Sequence, residues 1–286
     1  MEDEQLWTGY VRSSRYEVQV DSEGWAAAAA QSLEHNGFCV LRSPGRVAPV
    51  ELCARCMAVA LSELDRLLKA ISKRDIDPIR DVFNFREVCK RHGGARYDVA
   101  LPHVKPPAAA AAGAEPPVLQ AAGGSAADPG DAVGPWLELQ SLVDATVQQV
   151  VAETRALQGA AVDRAGCVVS YPGTPAQQLH TDGGSPGFFN CFVPLTPVDA
   201  SNGTELLPGT HEPVEFALVE LPWQDESQME PLTPSLAPGE LLLFDYRLRH
   251  RGLSNTTAAP RPVAYFVYTR PGLSDTRNFP SQSVHA

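Results

Sequence analysis

From Ala165 to Arg270 the sequence is cut into short apolar runs by proline and glycine, and a chain punctuated in this way has few folds open to it. Cys167–Tyr171, Gly187–Leu195, Val214–Leu221, Gly239–Phe244 and Pro262–Tyr268 are each rich in β-branched, aromatic and other apolar residues and bounded by turn formers, which predicts strands. Repetition of strand and turn suits an antiparallel jelly roll, which houses its site between two sheets. The expected fold is mainly β with flanking helices around a double-stranded β-helix, or cupin-like, core.

Upstream the period changes from strand-like to helical. Trp25 to His35 is alanine-rich and stops at Asn36-Gly37, a helix C-terminal signal. Pro49 to about Lys73 carries Leu52, Cys56, Val59, Leu61, Leu64, Leu67 and Leu68 as an apolar stripe, with charged residues opposite. Residues 105–134 are rich in Ala, Pro and Gly with almost no large apolar side chains, so their burial cannot offset the entropy of ordering, and a flexible insertion is expected. A helix over 135–158 follows, with Pro135 suited to its first turn. The organisation expected is one domain over 1–286, made of a helical part (20–104), the insertion, the packing helix and the core (165–270).

Within the strand region, His180-Thr-Asp182 is followed far along the chain by His250, and then by Arg261. Side chains at i and i+2 of a strand share a face, so His180 and Asp182 can offer an imidazole and a carboxylate to one metal. A third ligand must come from elsewhere. Two histidines and a carboxylate on one face of an octahedron, with the other positions open, form the donor set of non-haem Fe(II) oxygenases. Arg261 has a planar fork that pairs with a carboxylate and is a natural anchor for the far end of 2-oxoglutarate. A guanidinium buried among Val263 and Tyr265 without an anion would be costly, which supports that role.

An H-x-D tripeptide alone says little; its surroundings say more. Tyr171-Pro-Gly-Thr-Pro-Ala-Gln-Gln-Leu-His180-Thr-Asp182, Asn202-Gly203 to Pro208-Gly209-Thr210-His211, and Pro238-Gly239 to Asp245 and His250 resemble, in order and spacing, the phytanoyl-CoA dioxygenase family of Fe(II)- and 2-oxoglutarate-dependent oxygenases. Asn36-Gly-Phe-Cys-Val-Leu-Arg42 and Arg96-Tyr-Asp98 add weaker likeness. The resemblance implies His180, Asp182 and His250 on Fe(II), Arg261 on 2-oxoglutarate, and O2 as the second co-substrate. It implies decarboxylation to succinate and CO2, coupled to hydroxylation or another oxidation, such as desaturation, of an unactivated C–H bond. It also places His211 in a turn, away from the metal. Tyr171, Gln177 and Gln178 fall where family members contact co-substrate or substrate, and Arg96 is placed to reach a substrate acid group. Asn190 shares a strand face with Phe188 and Phe192; it either bonds co-substrate or substrate, with Phe192 packing beside it, or satisfies neighbouring backbone. A cupin-like metal protein with non-oxidative activity and an inactive binding protein of the same fold are the alternatives, and the spacing of Arg261 argues against the first.

A net charge of −11 and pI near 5.1 argue against a surface built for nucleic acid or anionic lipid. No apolar run approaches the ~20 residues of a membrane span, and the first residues lack a signal peptide's regions, so an intracellular, cytoplasmic protein acting on a small or medium organic molecule is expected. No protein partner is inferable. Cys53 and Cys56 have no second pair to complete a zinc site, and all six cysteines are expected to be free thiols. His35, His92, His103 and His285 lack partners at ligand spacing and are expected to be solvated. Lys69, Lys73, Arg74 and Arg80 form either a loose phosphate-binding cluster or a solvated helix end.

Overall fold

The computed structural model describes residues 16–91, 94–104, 119–120, 129–211 and 229–286, with backbone alone at 119–120 and 129–132. In chain order the elements are β1 (Glu17–Gln19), α1 (Trp25–Asn36), β2 (Phe38–Arg42), α2 (Val50–Ser72), β3 (Phe83–Asn84), β4 (Val88–Lys90), β5 (Arg96–Ala100), β6 (His103–Val104), β7 (Leu119–Gln120) and α3 (Pro129–Glu153). After α3 come β8 (Ala161–Ser170), β9 (Phe188–Pro194), β10 (Thr204–Leu206), β11 (Leu241–Asp245), β12 (His250–Gly252) and β13 (Arg261–Thr269).

One large sheet runs β1-β2-β11-β9-β13-β8-β5-β4-β3, and every neighbouring pair but β1–β2 is antiparallel. Strand alternation gives it two different faces. Leu41, Cys191, Val193, Leu243, Ala264, Phe266, Tyr268, Cys167 and Val169 point to the helices, joining Leu33 of α1, Leu64 of α2 and Val143 of α3 in one buried cluster. The opposite face carries Arg96 and Asp98 (β5), Val168 and Ser170 (β8), Asn190 and Phe192 (β9), and Arg261, Val263, Tyr265 and Val267 (β13), all but Ser170 lining a cavity. Above that cavity lies a smaller layer, in which β10 pairs with β12, Leu206 bridges Leu232, and His180 bridges His250. Two unequal layers enclosing a site are the jelly-roll arrangement read from the strand pattern.

The helices form for the reasons their sequences give. Gly37, at φ +80°, ends α1 in a left-handed turn and its N–H returns to the Leu33 carbonyl at 3.1 Å. A Cβ there would lie 2.5 Å from His211 Nδ1, so the turn holding His211 and the α1–β2 corner fit together only with glycine. In α2 the buried stripe is Leu52, Cys53, Cys56, Ala60, Leu64, Leu67 and Ile71, while Val59, Leu61 and Leu68 lie at its margin. Each large side chain wholly buried there contributes about 1.5–3 kcal/mol.

Several expectations are corrected. α3 begins at Pro129 rather than 135, so Pro135 lies inside it, past the first turn, where its missing N–H costs the helix one ladder bond. It ends at Glu153, and Arg155–Leu157 is a separate 3-10 turn capped by Thr154. Of the expected insertion, 105–118 and 121–128 lie outside the described residues, as does the Val214–Leu221 strand. His103 is buried rather than solvated. All six cysteines are free and buried.

Candidate active site

His180 and His250 are joined by a pair of backbone hydrogen bonds, each N–H donating to the other's carbonyl at 2.9 Å. That bridge brings together two histidines seventy positions apart and sets their rings 4.5 Å between centroids. Each ring's Nδ1 lies against the carbonyl of the residue two before it, Gln178 at 2.8 Å and Leu248 at 2.9 Å. With Nδ1 as the protonated donor, Nε2 of each is a free lone pair. Both lone pairs meet at Asp182: His180 Nε2 is 3.7 Å from Oδ1 and His250 Nε2 is 3.5 Å from Oδ2. The three ligand atoms lie within 4.8 Å of one another. Burial and the adjacent His250 ring hold the His180 pKa below its ordinary value, which favours the neutral imidazole a metal needs. Asn190 Nδ2 donates to Asp182 Oδ2 at 2.6 Å and orients the carboxylate.

A second charged cluster stands at one end of the same cavity. Ser170 pairs in register with Arg96 on one side and with Arg261 on the other. Arg96 Nε donates to Ser170 Oγ at 2.8 Å and Arg261 Nη2 to the same oxygen at 3.3 Å, and both guanidiniums also bond the Leu253 carbonyl. Among the described residues neither has a carboxylate within ion-pair distance, and the buried Arg261 Nε has no partner at all. Burial pushes both pKa values down to about 10, and for Arg261 the charge of Arg96 adds to the effect. Two desolvated cations side by side are a site for an anion. Arg96 also reaches the Gly252 carbonyl at 3.4 Å, two residues from His250, so this cradle adjoins the histidine–carboxylate cluster.

The cavity they share, about 340 Å³, is also lined by Asp98, Tyr246, Tyr265, Asn278 and Phe279. Tyr265 donates to Asp98 Oδ1 at 2.8 Å, and Arg91 stands 4.0 Å from the other oxygen. Val168, Val263, Val267 and Phe192 make the floor apolar.

The profile of the family described as phytanoyl-CoA dioxygenase (PhyH) matches residues 33–263, most of the chain. This protein belongs to the phytanoyl-CoA dioxygenase family. Solved structures share its fold. AviO1 from Streptomyces viridochromogenes Tue57 is 18% identical with a TM-score of 0.52, the match covering 87% of this chain and 97% of that one. The epimerase SnoN, solved with Fe3+, alpha-ketoglutarate and nogalamycin RO, is 14% identical with a TM-score of 0.53, over 90% of this chain and 94% of that one. The carbocyclase SnoK from nogalamycin biosynthesis is 15% identical with a TM-score of 0.50, over 87% of each chain. At these identities the likeness is one of fold. No curated protein matches the chain in sequence.

For a member of this family, iron and 2-oxoglutarate are the groups to test against the residues present, and both fit. The donor set of two neutral imidazoles and a carboxylate suits Fe(II), and the unpaired guanidiniums beside it suit a dicarboxylate. The other sequence candidates fare unevenly. Phe192 lines the cavity and meets Phe244 edge-on at 4.8 Å. Gln177 lines it too, its Oε1 accepting from the Gly252 N–H at 2.9 Å. Gln178 is exposed and serves through its backbone carbonyl. Tyr171 does not line the cavity: it follows the inward-facing Ser170, so alternation turns its ring away, onto Tyr97 at 6.0 Å. Arg96 stands beside Arg261 rather than apart from it. His211 is buried in its turn against the Glu34 carbonyl. Lys69 and Arg80 pair with Asp65 and Asp77, and Arg74 binds carbonyls of Val284 and Ala286, so no shared phosphate site forms. Sequence reading missed Ser170 and Asn278. Parity along β8 exposes Ser170 once its register with Arg96 and Arg261 is known; Asn278 gives no local signal.

Proposed function

We propose that the protein is an Fe(II)- and 2-oxoglutarate-dependent dioxygenase that hydroxylates, or otherwise oxidises, an unactivated C–H bond of a small or medium organic substrate. One observation carries this reading: the histidine–carboxylate cluster and a pair of guanidiniums without an acidic partner line the same cavity. A metal site alone would suit a cupin-like protein of non-oxidative activity; the adjoining anion cradle is what a 2-oxo acid requires in addition.

His180, Asp182 and His250 would hold the metal, the carbonyl behind each Nδ1 keeping the proton of the neutral ring on that nitrogen so that Nε2 presents its lone pair. Bound there, iron, 2-oxoglutarate and O2 would supply the oxidising power, 2-oxoglutarate being converted to succinate and CO2. Arg261 and Arg96 grip the carboxylate remote from the metal, and the Ser170 hydroxyl keeps their planes in place. Asn190 keeps the Asp182 carboxylate turned to the metal. Phe192, Val168, Val263 and Val267 exclude water from the space beside the metal, where a C–H bond must be presented. The fold neighbours named as an epimerase and a carbocyclase favour keeping the outcome of that C–H oxidation wider than hydroxylation.

The test is anaerobic binding of Fe(II) and 2-oxoglutarate, read by the visible charge-transfer band of the chelate, in the wild type and in Asp182→Ala and Arg261→Ala. The band is expected in the wild type, to vanish in the first variant and to weaken in the second. Iron binding without the band would favour the cupin-like reading, and no iron binding would favour an inactive binding protein. Succinate release then ranks candidate substrates.

A further inference from the structure

Of the three metal-binding side chains, Asp182 alone lies in a bend, outside any strand or bridge. His180 and His250 pin one another through their backbone bridge. Asp182 is followed by Gly183 and Gly184, which restrict the chain little, and its N–H reaches the Tyr246 carbonyl at 3.0 Å. Its carbonyl is held from the far end of the sequence, by Asn278 Nδ2 at 3.0 Å. The same amide nitrogen donates to Asp275 Oδ2 at 2.8 Å. Both acceptors are oxygens, so only the nitrogen can occupy that place, and the amide's orientation is fixed.

The segment carrying Asn278 is bolted down. Asp275 is buried, and its Oδ1 accepts the N–H groups of Arg277 and Asn278, each at 2.9 Å. Its own N–H donates to Asp163 Oδ2 at 3.0 Å, which ties the segment to β8. Arg91 donates to the Asn278 carbonyl. Phe279, next along, packs on Tyr265 at 6.3 Å and under the Arg164 guanidinium at 5.5 Å, where it forms cavity wall. Asp275, Asn278 and Phe279 themselves lie beyond residue 263, where the family match ends.

We infer that Asn278 is a positioning residue for Asp182, and that the segment Asp275–Phe279 supplies this chain with its own substrate-side wall. Holding the Asp182 carbonyl fixes the peptide plane after the ligand, so the carboxylate keeps its direction even though two glycines follow. Outer partners of metal ligands typically carry about 10- to 100-fold of metal affinity. The inference rests on the reading of His180, Asp182 and His250 as the iron site.

The experiment titrates the full chain, free of metal, with Mn(II), following the loss of the free-ion electron paramagnetic resonance signal. Wild type, Asn278→Ala, Asp182→Ala and Ser274→Ala are compared, the last removing a neighbouring anchor to Asp163 but not the amide. Asn278→Ala is expected to weaken Mn(II) about tenfold or more and to move the Fe(II)–2-oxoglutarate band, while Ser274→Ala keeps wild-type affinity. A folded Asn278→Ala with wild-type affinity and an unmoved band overturns the inference, as does an equal loss in Ser274→Ala, which would mark the segment as structural only. Should Asn278→Ala not fold, the near-isosteric Asn278→Asp replaces the donor with an acceptor and is judged by the same outcomes. If the wild type binds no Mn(II), or Asp182→Ala binds it as well, the iron reading itself falls and takes the inference with it.

Discussion

Ser170 stands between Arg96 and Arg261 and receives an N–H from each on one hydroxyl oxygen, at 2.8 and 3.3 Å. A hydroxyl cannot neutralise two cations, so the pair is suited to an anion, and burial lowers both arginine pKa values to about 10. Arg261→Ala and Arg96→Ala should each raise the 2-oxoglutarate concentration for half-saturation by about 10- to 100-fold, the worth of a charged hydrogen bond. Ser170→Ala, which loosens the two guanidiniums without removing either charge, should cost less than ~10-fold. Titrating the chelate band measures all three, and unchanged affinity in both arginine variants would move the co-substrate elsewhere.

The same cradle predicts that ligand binding stabilises the protein without metal. An anion that binds the folded state alone raises the melting temperature with concentration, adding ~2.7 kcal/mol of stability at a hundredfold excess over Kd. Succinate and 2-oxoglutarate should both do so in metal-free protein, and Arg261→Ala should abolish the response. Differential scanning fluorimetry reads it directly; chloride at matched ionic strength is the control.

How much of this was legible in the sequence follows from range. His180 and Asp182 could be paired because they lie two residues apart, though the segment is a single bridge at His180 and a bend at Asp182 rather than the strand expected, and α1 and α2 declared themselves by period and by Gly37. Parity grouped Asn190 with Phe192 without deciding which face lines the cavity, and its partner, the Asp182 carboxylate, is a tertiary fact that neither expected role included. Tyr171 shows the opposite case: motif position suggested the cavity, and its parity with Ser170 turned it away. Arg96 and Arg261 meet only because β5 and β13 flank β8, an order that no local pattern encodes. His103 looked solvated for want of a ligand partner, yet the Leu101 carbonyl lies 3.4 Å from its Nδ1 inside the fold.

Asp98 carries a pH dependence. Burial raises its pKa above the ordinary aspartate value, opposed by Arg91 and by the Tyr265 hydroxyl. A carboxyl whose folded pKa is raised contributes stability fully present below the unfolded value, near 3.9, and lost as pH rises through the folded one. Asp98→Asn keeps an acceptor for Tyr265 without the charge, so it should raise the melting temperature at pH 8 and leave it nearly unchanged at pH 4. A variant less stable at pH 8 would show that the Arg91 attraction outweighs burial.

Thiol chemistry should be slow in the native state. Burial pushes Cys53 up to about 11 and Cys56 and Cys89 up to about 12, and the remaining three are buried as well. Thiolate is the reactive form, so at pH 8 an aromatic disulfide reagent should titrate almost none of the six cysteines until denaturant is added, and all six afterwards. Prompt reaction of one native thiol would mark it as Cys89, the cysteine on the cavity wall.

Gly166 ties the shape of the cavity to the sheet beneath it. It pairs with Tyr265 across β8–β13, and a Cβ there would lie 2.4 Å from the Tyr265 Oη and 2.5 Å from the Val99 carbonyl oxygen. Alanine must therefore drive the phenol off Asp98 and push β5 aside, an overpacking cost of about 1–3 kcal/mol. The Arg96–Ser170–Arg261 row lies further along the same strands, so Gly166→Ala should keep most 2-oxoglutarate affinity while losing stability and reshaping the substrate side. Adding Tyr265→Ala removes the ring but leaves the backbone oxygen of Val99 in the way. The double variant should thus recover only part of the lost denaturation free energy in a double-mutant cycle, and full recovery would mean that the ring alone demands glycine.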